Sequence, residues 1–136
     1  MRGVWMGLGL VLAISGTPAL ARQSPHDRGE AELAKEIGGL IPGPPESCLS
    51  LSRITGSYII DSTAIIYRTL GGKVYVNRPR GAEMLRRDDI PVQFVYGTQL
   101  CRLDRIKLLD RSTQTQRGFV GLGDFVPYTK PGKVRR

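Results

Sequence analysis

The chain has 136 residues and is basic, with 20 Lys and Arg against 12 Asp and Glu, a formal charge of +8 and a single histidine. The two cysteines and the one histidine show no metal-ligand spacing. Because that histidine, His26, precedes the domain, no Ser-His-Asp or Cys-His constellation can be assembled within it.

Residues 1–21 carry the marks of a signal peptide. Arg2 is a short positive start, Val4 to Ile14 is an apolar run, and Ala19-Leu20-Ala21 is a small-residue cleavage site. An apolar run of about 11 residues is too short for a bilayer core that needs roughly 20. The expectation is cleavage near Ala21, export to the periplasm or medium, and no integral membrane span afterwards. About 115 residues remain, enough for one small domain. In an exported protein the basic charge points away from nucleic acid. The polyanions at hand are lipopolysaccharide phosphates, anionic phospholipids and cell-wall carboxylates, and an ordinary solvated basic surface accounts for the same charge.

An even cysteine count in an oxidising compartment implies one structural disulfide, Cys48–Cys101. Closing a loop of about 54 residues is worth about 4 kcal/mol in the chain-entropy picture. Neither cysteine sits in a C-x-x-C, which disfavours a redox or metal pair.

In chain order, residues 22–47 predict a short helix and a linker. Ser24 can cap, Pro25 suits the first helical position and Asp27 the third. Ala31, Leu33, Ala34 and Ile37 recur at helical spacing, and Gly38-Gly39 ends the pattern. IPGPPES (Ile41 to Ser47) is proline-rich linker. The domain is expected over residues 48–127. It opens with an alternating strand, CLSLSRI (Cys48 to Ile54). The densest β-branched and aromatic run, Tyr58 to Asn77, follows and predicts a three-stranded antiparallel meander. With Gly71-Gly72 as a two-residue hairpin loop, Arg68 faces Tyr75 and Tyr67 faces Val76. Ile65, Tyr67, Val74 and Val76 then share the one apolar face, with Tyr58 and Ile60 beside them.

Arg80 to Asp89 is charged and aperiodic, a loop or one helical turn, in which Arg86-Arg87 and Asp88-Asp89 neutralise each other. Pro91 to Tyr96 is a strand with Val92, Phe94 and Tyr96 on one side. Ile106 to Leu109 is another, with Ile106 and Leu108 inward. Phe119 to Val126 closes the sheet, Gly121 and Gly123 marking a bulge or bend. Residues 128–136 form a basic, disordered tail. Six to seven short strands at turn spacing predict an all-β domain, a small antiparallel barrel or sandwich.

The order CLSLSRI, the Ile60-Asp61 turn, GGKVYVNRP, LCRLDRIKLLD and GLGDF resembles a family of small exported Gram-negative proteins carried as a domain of unknown function. The resemblance covers Cys48 to Phe125. The family pattern includes a second cysteine pair, and here Gly81 to Leu85 and Gly118 to Gly123 hold none, which suits loss of that second bridge. The likeness brings a fold and an address without a mechanism.

Three function classes follow. An enzyme would have to work with carboxylates drawn from Asp61, Asp104, Asp110 and Asp124, as a cell-wall hydrolase works with two; all are at ordinary turn or strand-end positions, and no catalytic residue is assigned. A binding module would use the arginine-rich second half. Arg78, Arg80, Arg102, Arg105 and Lys107 are the candidate anion-binding residues, with Arg78 and Arg102 converging near the disulfide beside Tyr75 or Tyr96. The alternative is that Arg102 and Arg105 pair with Asp104 and Asp110, or lie over apolar surface. A structural partner would offer a sheet edge to another envelope protein. No cofactor or metal is implied.

Overall fold

A computed structural model describes residues 21–132. The signal-peptide reading through Leu20 and the end of the basic tail lie outside the described residues. The chain forms one helix, α1 (Pro25–Glu36), and ten short strands. These are β1 (Ile41–Pro42), β2 (Cys48–Ser50), β3 (Ile54–Ile60), β4 (Ala64–Thr69) and β5 (Val74–Asn77). They continue with β6 (Asp89–Gln93), β7 (Gln99–Cys101), β8 (Arg105–Asp110), β9 (Gln116–Gly121) and β10 (Phe125–Thr129). All pair antiparallel, in sheets ordered β1-β10-β5-β4-β3, β2-β7 and β6-β8-β9. The mainly-β expectation holds. The strands are more numerous than the six or seven expected, and they do not close into a barrel.

Helix α1 starts where its sequence says it should. Asp27 N–H donates to Ser24 Oγ, Ser24 N–H donates back to Asp27 Oδ2, each at 3.1 Å, and Pro25 opens the first turn. Leu33, only 1% exposed, enters a cluster with Ile60, Ala64, Ile66 and Val76, and Ile37 and Tyr58 pack at its margin. Docking supplies the stability that a 12-residue helix lacks alone.

The meander forms with different registers from those expected. Tyr67 pairs with Tyr75 and Arg68 with Val74, so the second hairpin loop is Leu70-Gly71-Gly72, three residues closed by Thr69 N–H and Oγ1 donating to the Lys73 carbonyl. Ile60 pairs with Ala64, so the first loop is Asp61-Ser62-Thr63, with Ser62 at φ 52°. Each slip of one residue exchanges the faces. Ile65, Tyr67 and Tyr75 point one way; Tyr58, Ile60, Ile66, Val74 and Val76 point the other. Both faces are apolar, and the single apolar face expected from the sequence is corrected.

The face that carries Ile65, Tyr67 and Tyr75 meets the smaller sheets. Ile59, Ile65, Tyr67, Tyr75 and Phe125 pack against Leu49 and Leu100 of the β2-β7 pair and against Ile106, Leu108 and Val120 of the three-stranded sheet. Tyr67 and Phe125 meet edge to face, with ring centroids 5.6 Å apart. The buried Tyr67 hydroxyl has no hydrogen-bond partner among the described residues, and burial pushes its phenol well above the ordinary range.

Phe119 to Val126 is two strands in two sheets, joined by Leu122-Gly123-Asp124. The buried Asn77 side chain holds this crossing by donating to the Gly123 carbonyl (2.7 Å) and accepting from Gly123 N–H (3.0 Å). A Cβ at Gly123 would sit 2.7 Å from the Arg78 carbonyl oxygen, so the bend expected there is imposed by close approach. The proline-rich linker is anchored: β1 pairs with β10, Gly43 N–H donates to Pro127, and Glu46 bridges Phe125. Tyr128 and Thr129, expected in the tail, belong to β10. The strand expected at Pro91 to Tyr96 runs instead over β6, leaving Phe94 and Tyr96 exposed beyond its end.

Gly29 lies where α1 crosses the first meander loop. A Cβ there would come within 2.0 Å of Thr63 Oγ1 and 2.4 Å of the Asp61 carbonyl. Helix propensity alone favours Gly29→Ala by about 1 kcal/mol. The contact predicts the opposite sign, a loss of roughly 1–3 kcal/mol as α1 is pushed off the sheet. Urea unfolding measures it, and a raised midpoint would show that α1 does not dock as described.

Candidate functional site

The disulfide forms as expected. Cys48 and Cys101 are directly paired in the β2–β7 ladder with Cα atoms 4.0 Å apart and a sulfur–sulfur bond of 2.05 Å. The bond suits an oxidising compartment. No helix among the described residues is long and apolar enough to cross a membrane.

Helix α1 takes up several of the basic side chains. Arg78 clasps Glu30 with both guanidinium nitrogens, NH2 to Oε2 at 3.0 Å. Arg87 reaches Glu32, and Arg68 lies 3.4 Å from Glu36 while stacking over the Tyr58 ring. The Arg78 guanidinium beside it holds the Glu30 carboxyl below its usual range. Arg78 and Arg102 therefore do not converge on one anion. Arg78 is turned to α1, and Arg102 lies 3.6 Å from Asp124. The Tyr75 hydroxyl is turned to Glu46, 3.1 Å away.

The other carboxylates have local work as well. Asp104 accepts from Cys101 N–H at 2.7 Å, and Asp61 accepts from Arg87 N–H at 2.6 Å. Asp110 accepts from the Ser112 hydroxyl and from the Thr113 and Ser112 N–H groups, which hold its carboxyl at about 2. Arg102 and Arg105 thus do not pair with Asp104 and Asp110. Nor do residues 86–89 neutralise one another: Asp89 is buried and takes a two-pronged bond from Arg117, Nε to Oδ1 at 2.8 Å and NH2 to Oδ2 at 2.5 Å, while NH2 also donates to the Met84 carbonyl. Arg117 is the bulged residue of β9, the extra residue between the Leu108 and Leu109 pairs.

Arg80, Arg105 and Lys107 are left without an ion pair among the described residues. They share the outer face of the β6-β8-β9 sheet. Directly opposed residues in an antiparallel ladder point to the same face. Gly121 is opposed by Arg105 on one side and bridged by Arg80 on the other. The Arg80 guanidinium lies over Gly121, its Nε 3.9 Å from where a Cβ would be. Arg80 and Arg105 therefore flank Gly121 on one face of the sheet. One step along the ladder, Lys107 stands between Val92 and Phe119. Ile106 and Leu108, alternating with these bases, face the core.

An open cleft of about 750 Å³ lies elsewhere, between α1 and residues 61–62 and 83–88. Arg28, Arg86 and Arg87 are outnumbered there by Glu32, Asp61, Glu83 and Asp88, so its lining does not select an anion. No group of three or more potential metal ligands occurs among the described residues. His26 lies exposed on α1, 3.5 Å from Glu30.

No protein-family model, curated protein or solved structure matches the chain.

The partners missed from the sequence are Glu30, Glu32 and Glu36, whose spacing along α1 was visible but whose targets lie across the sheet. The buried pair gives a direct test. Arg117→Leu leaves Asp89 buried and unpaired, and a broken buried pair costs about 3–5 kcal/mol. Arg102→Leu removes an exposed pair and should cost no more than about 1 kcal/mol. Chemical denaturation of both variants measures the gap, and equal losses would contradict the assignment of Asp89–Arg117 as a structural lock.

Proposed function

We propose that this is a non-catalytic, exported binding module of the bacterial envelope that attaches to an anionic envelope surface through the outer face of the β6-β8-β9 sheet. The observation that carries the reading is the placement of Arg80, Arg105 and Lys107 on one face with no carboxylate engaged by any of them. Cations with neighbouring acids, such as Arg78 and Arg102, are largely compensated; these three are available to an external anion. Arginine's planar fork suits phosphate and carboxylate oxygens. The non-catalytic part of the reading rests on Asp61, Asp104, Asp110 and Asp124, each committed to a turn, a backbone cap or a surface pair. The periplasm as the place of action, and kinship with the exported Gram-negative family, belong to the same proposal, supported by the leader-like N-terminus and the disulfide.

Co-sedimentation of the exported protein with sacculi, lipopolysaccharide vesicles and anionic phospholipid vesicles across a salt series tests it. Each basic residue near an anionic surface contributes about 1 kcal/mol, roughly fivefold in binding. Replacing Arg80, Arg105 and Lys107 together by Gln should then lower binding about 100-fold, and added salt should weaken the wild type. Binding unchanged by that triple substitution, or no pelleting with any anionic fraction at low salt, would overturn the reading.

A further inference from the structure

The same face carries more than charge. Seven large hydrophobic residues are exposed among the described residues, and four of them, Phe94, Tyr96, Leu103 and Phe119, gather at or beside the three unpaired bases. Phe119 stands opposite Lys107 in the β8–β9 ladder and is 46% exposed. Phe94 follows directly on β6, whose last pair, Gln93 with Ile106, is one residue short of Arg105; it is 58% exposed. Tyr96 is fully exposed and lines a shallow cleft with Phe94 and Asp104, next to Leu103, which is 64% exposed. The half-buried Val92 joins Lys107 and Phe119 in one row. Exposed apolar side chains scattered singly carry no message, whereas a cluster does.

From this juxtaposition we infer that the anionic surface recognised is a phospholipid bilayer, with Arg80, Arg105 and Lys107 at the headgroup phosphates and Phe94, Tyr96 and Phe119 entering the interface between headgroups and acyl chains. The inference rests on the reading of the face as an anion-binding surface and adds the identity of that surface. Aromatic side chains favour the level of the headgroups, where one part of the ring is apolar and the other wet. Basic residues alongside them add the attraction to anionic lipid that a single apolar contact lacks. Sacculi offer carboxylates without an acyl layer. Lipopolysaccharide sets a thick sugar layer between solvent and its chains, beyond the reach of side chains that stand one residue high on a sheet. The phospholipid surface alone presents phosphate and an accessible apolar boundary within that distance.

A tryptophan placed at the tip of the face tests the insertion. In the exported protein the sequence's one tryptophan, Trp5, is removed with the leader, so Tyr96→Trp supplies the sole indole. The probes are vesicles of phosphatidylcholine alone, or mixed with phosphatidylglycerol, with and without brominated acyl chains. The expected result is a blue shift and bromine quenching with the anionic vesicles, weak or absent with the neutral ones. Phe94→Ser with Phe119→Ser, in the wild-type background, should weaken anionic-vesicle binding about tenfold while leaving retention on a phosphocellulose matrix unchanged; circular dichroism checks that the variant is folded. Salt-sensitive vesicle binding with no indole shift and no effect of the serine substitutions would overturn the lipid assignment and leave the anion-binding reading standing. Preferential binding to sacculi or lipopolysaccharide would do the same. Failure to bind any anionic probe would overturn both.

Discussion

The five-stranded sheet is apolar on both faces, and the rest of the molecule follows from having to cover them. Ile59, Ile65, Tyr67 and Tyr75 on one side and Ile60, Ile66 and Val76 on the other are nearly or fully buried. Leaving either set in water would cost on the order of 2 kcal/mol per large side chain. One face is covered by the two smaller sheets, and the other only by α1, a helix too short to persist without it. Leu33 supplies the apolar contact, and the Glu30, Glu32 and Glu36 carboxylates supply polar ones to Arg78, Arg87 and Arg68. Those exposed pairs are individually weak. Their greater consequence is electrostatic: they compensate three arginines, whereas Arg80, Arg105 and Lys107 on the β6-β8-β9 sheet engage no carboxylate among the described residues.

Composition and local pattern carried the sequence reading a certain distance. The capping box at Ser24 and Asp27, the inward Ile106 and Leu108, the helical turn within Arg80 to Asp89 and the Cys48–Cys101 pair follow from local chemistry or from cysteine arithmetic, and all were legible. The hairpin registers were not. A two-residue loop at Gly71-Gly72 satisfies turn preference, but the third loop residue, Leu70, has no signature, and the closure depends on Thr69 reaching the Lys73 carbonyl. Ser62 at positive φ is similarly silent, because serine does not announce a left-handed conformation as glycine does. A one-residue error in each loop was enough to turn a sheet covered on both faces into one with a polar side.

The candidate site was half legible for a related reason. Arg80, Arg105 and Lys107 could be named from their crowding, but which arginines stay unpaired depends on contacts far apart in the chain. Glu30 and Arg78 are 48 residues apart, and Asp89 and Arg117 are 28 apart. Adjacent opposite charges, as at Arg87 and Asp88 or Arg105 and Asp104, suggested neutralisation that backbone geometry refuses. Neighbouring residues on an extended chain point to opposite sides. Gly121 shows the complementary effect: the bridge between its backbone and that of Arg80, 41 residues earlier, brings Arg80 to the face of Arg105, and no local pattern announces it.

The proposed attachment to an anionic membrane requires the β6-β8-β9 face to make the contact. Amide hydrogen exchange of the exported protein, read with and without phosphatidylglycerol-containing vesicles, maps that surface without altering a residue. Slowed exchange confined to the end of β6 through Gly97, the turn at Leu103, and β8 with β9 is the predicted result, with α1 and the β3 edge unchanged. Protection centred on α1 or on the β3 edge, with the β6-β8-β9 sheet unaffected, would contradict it.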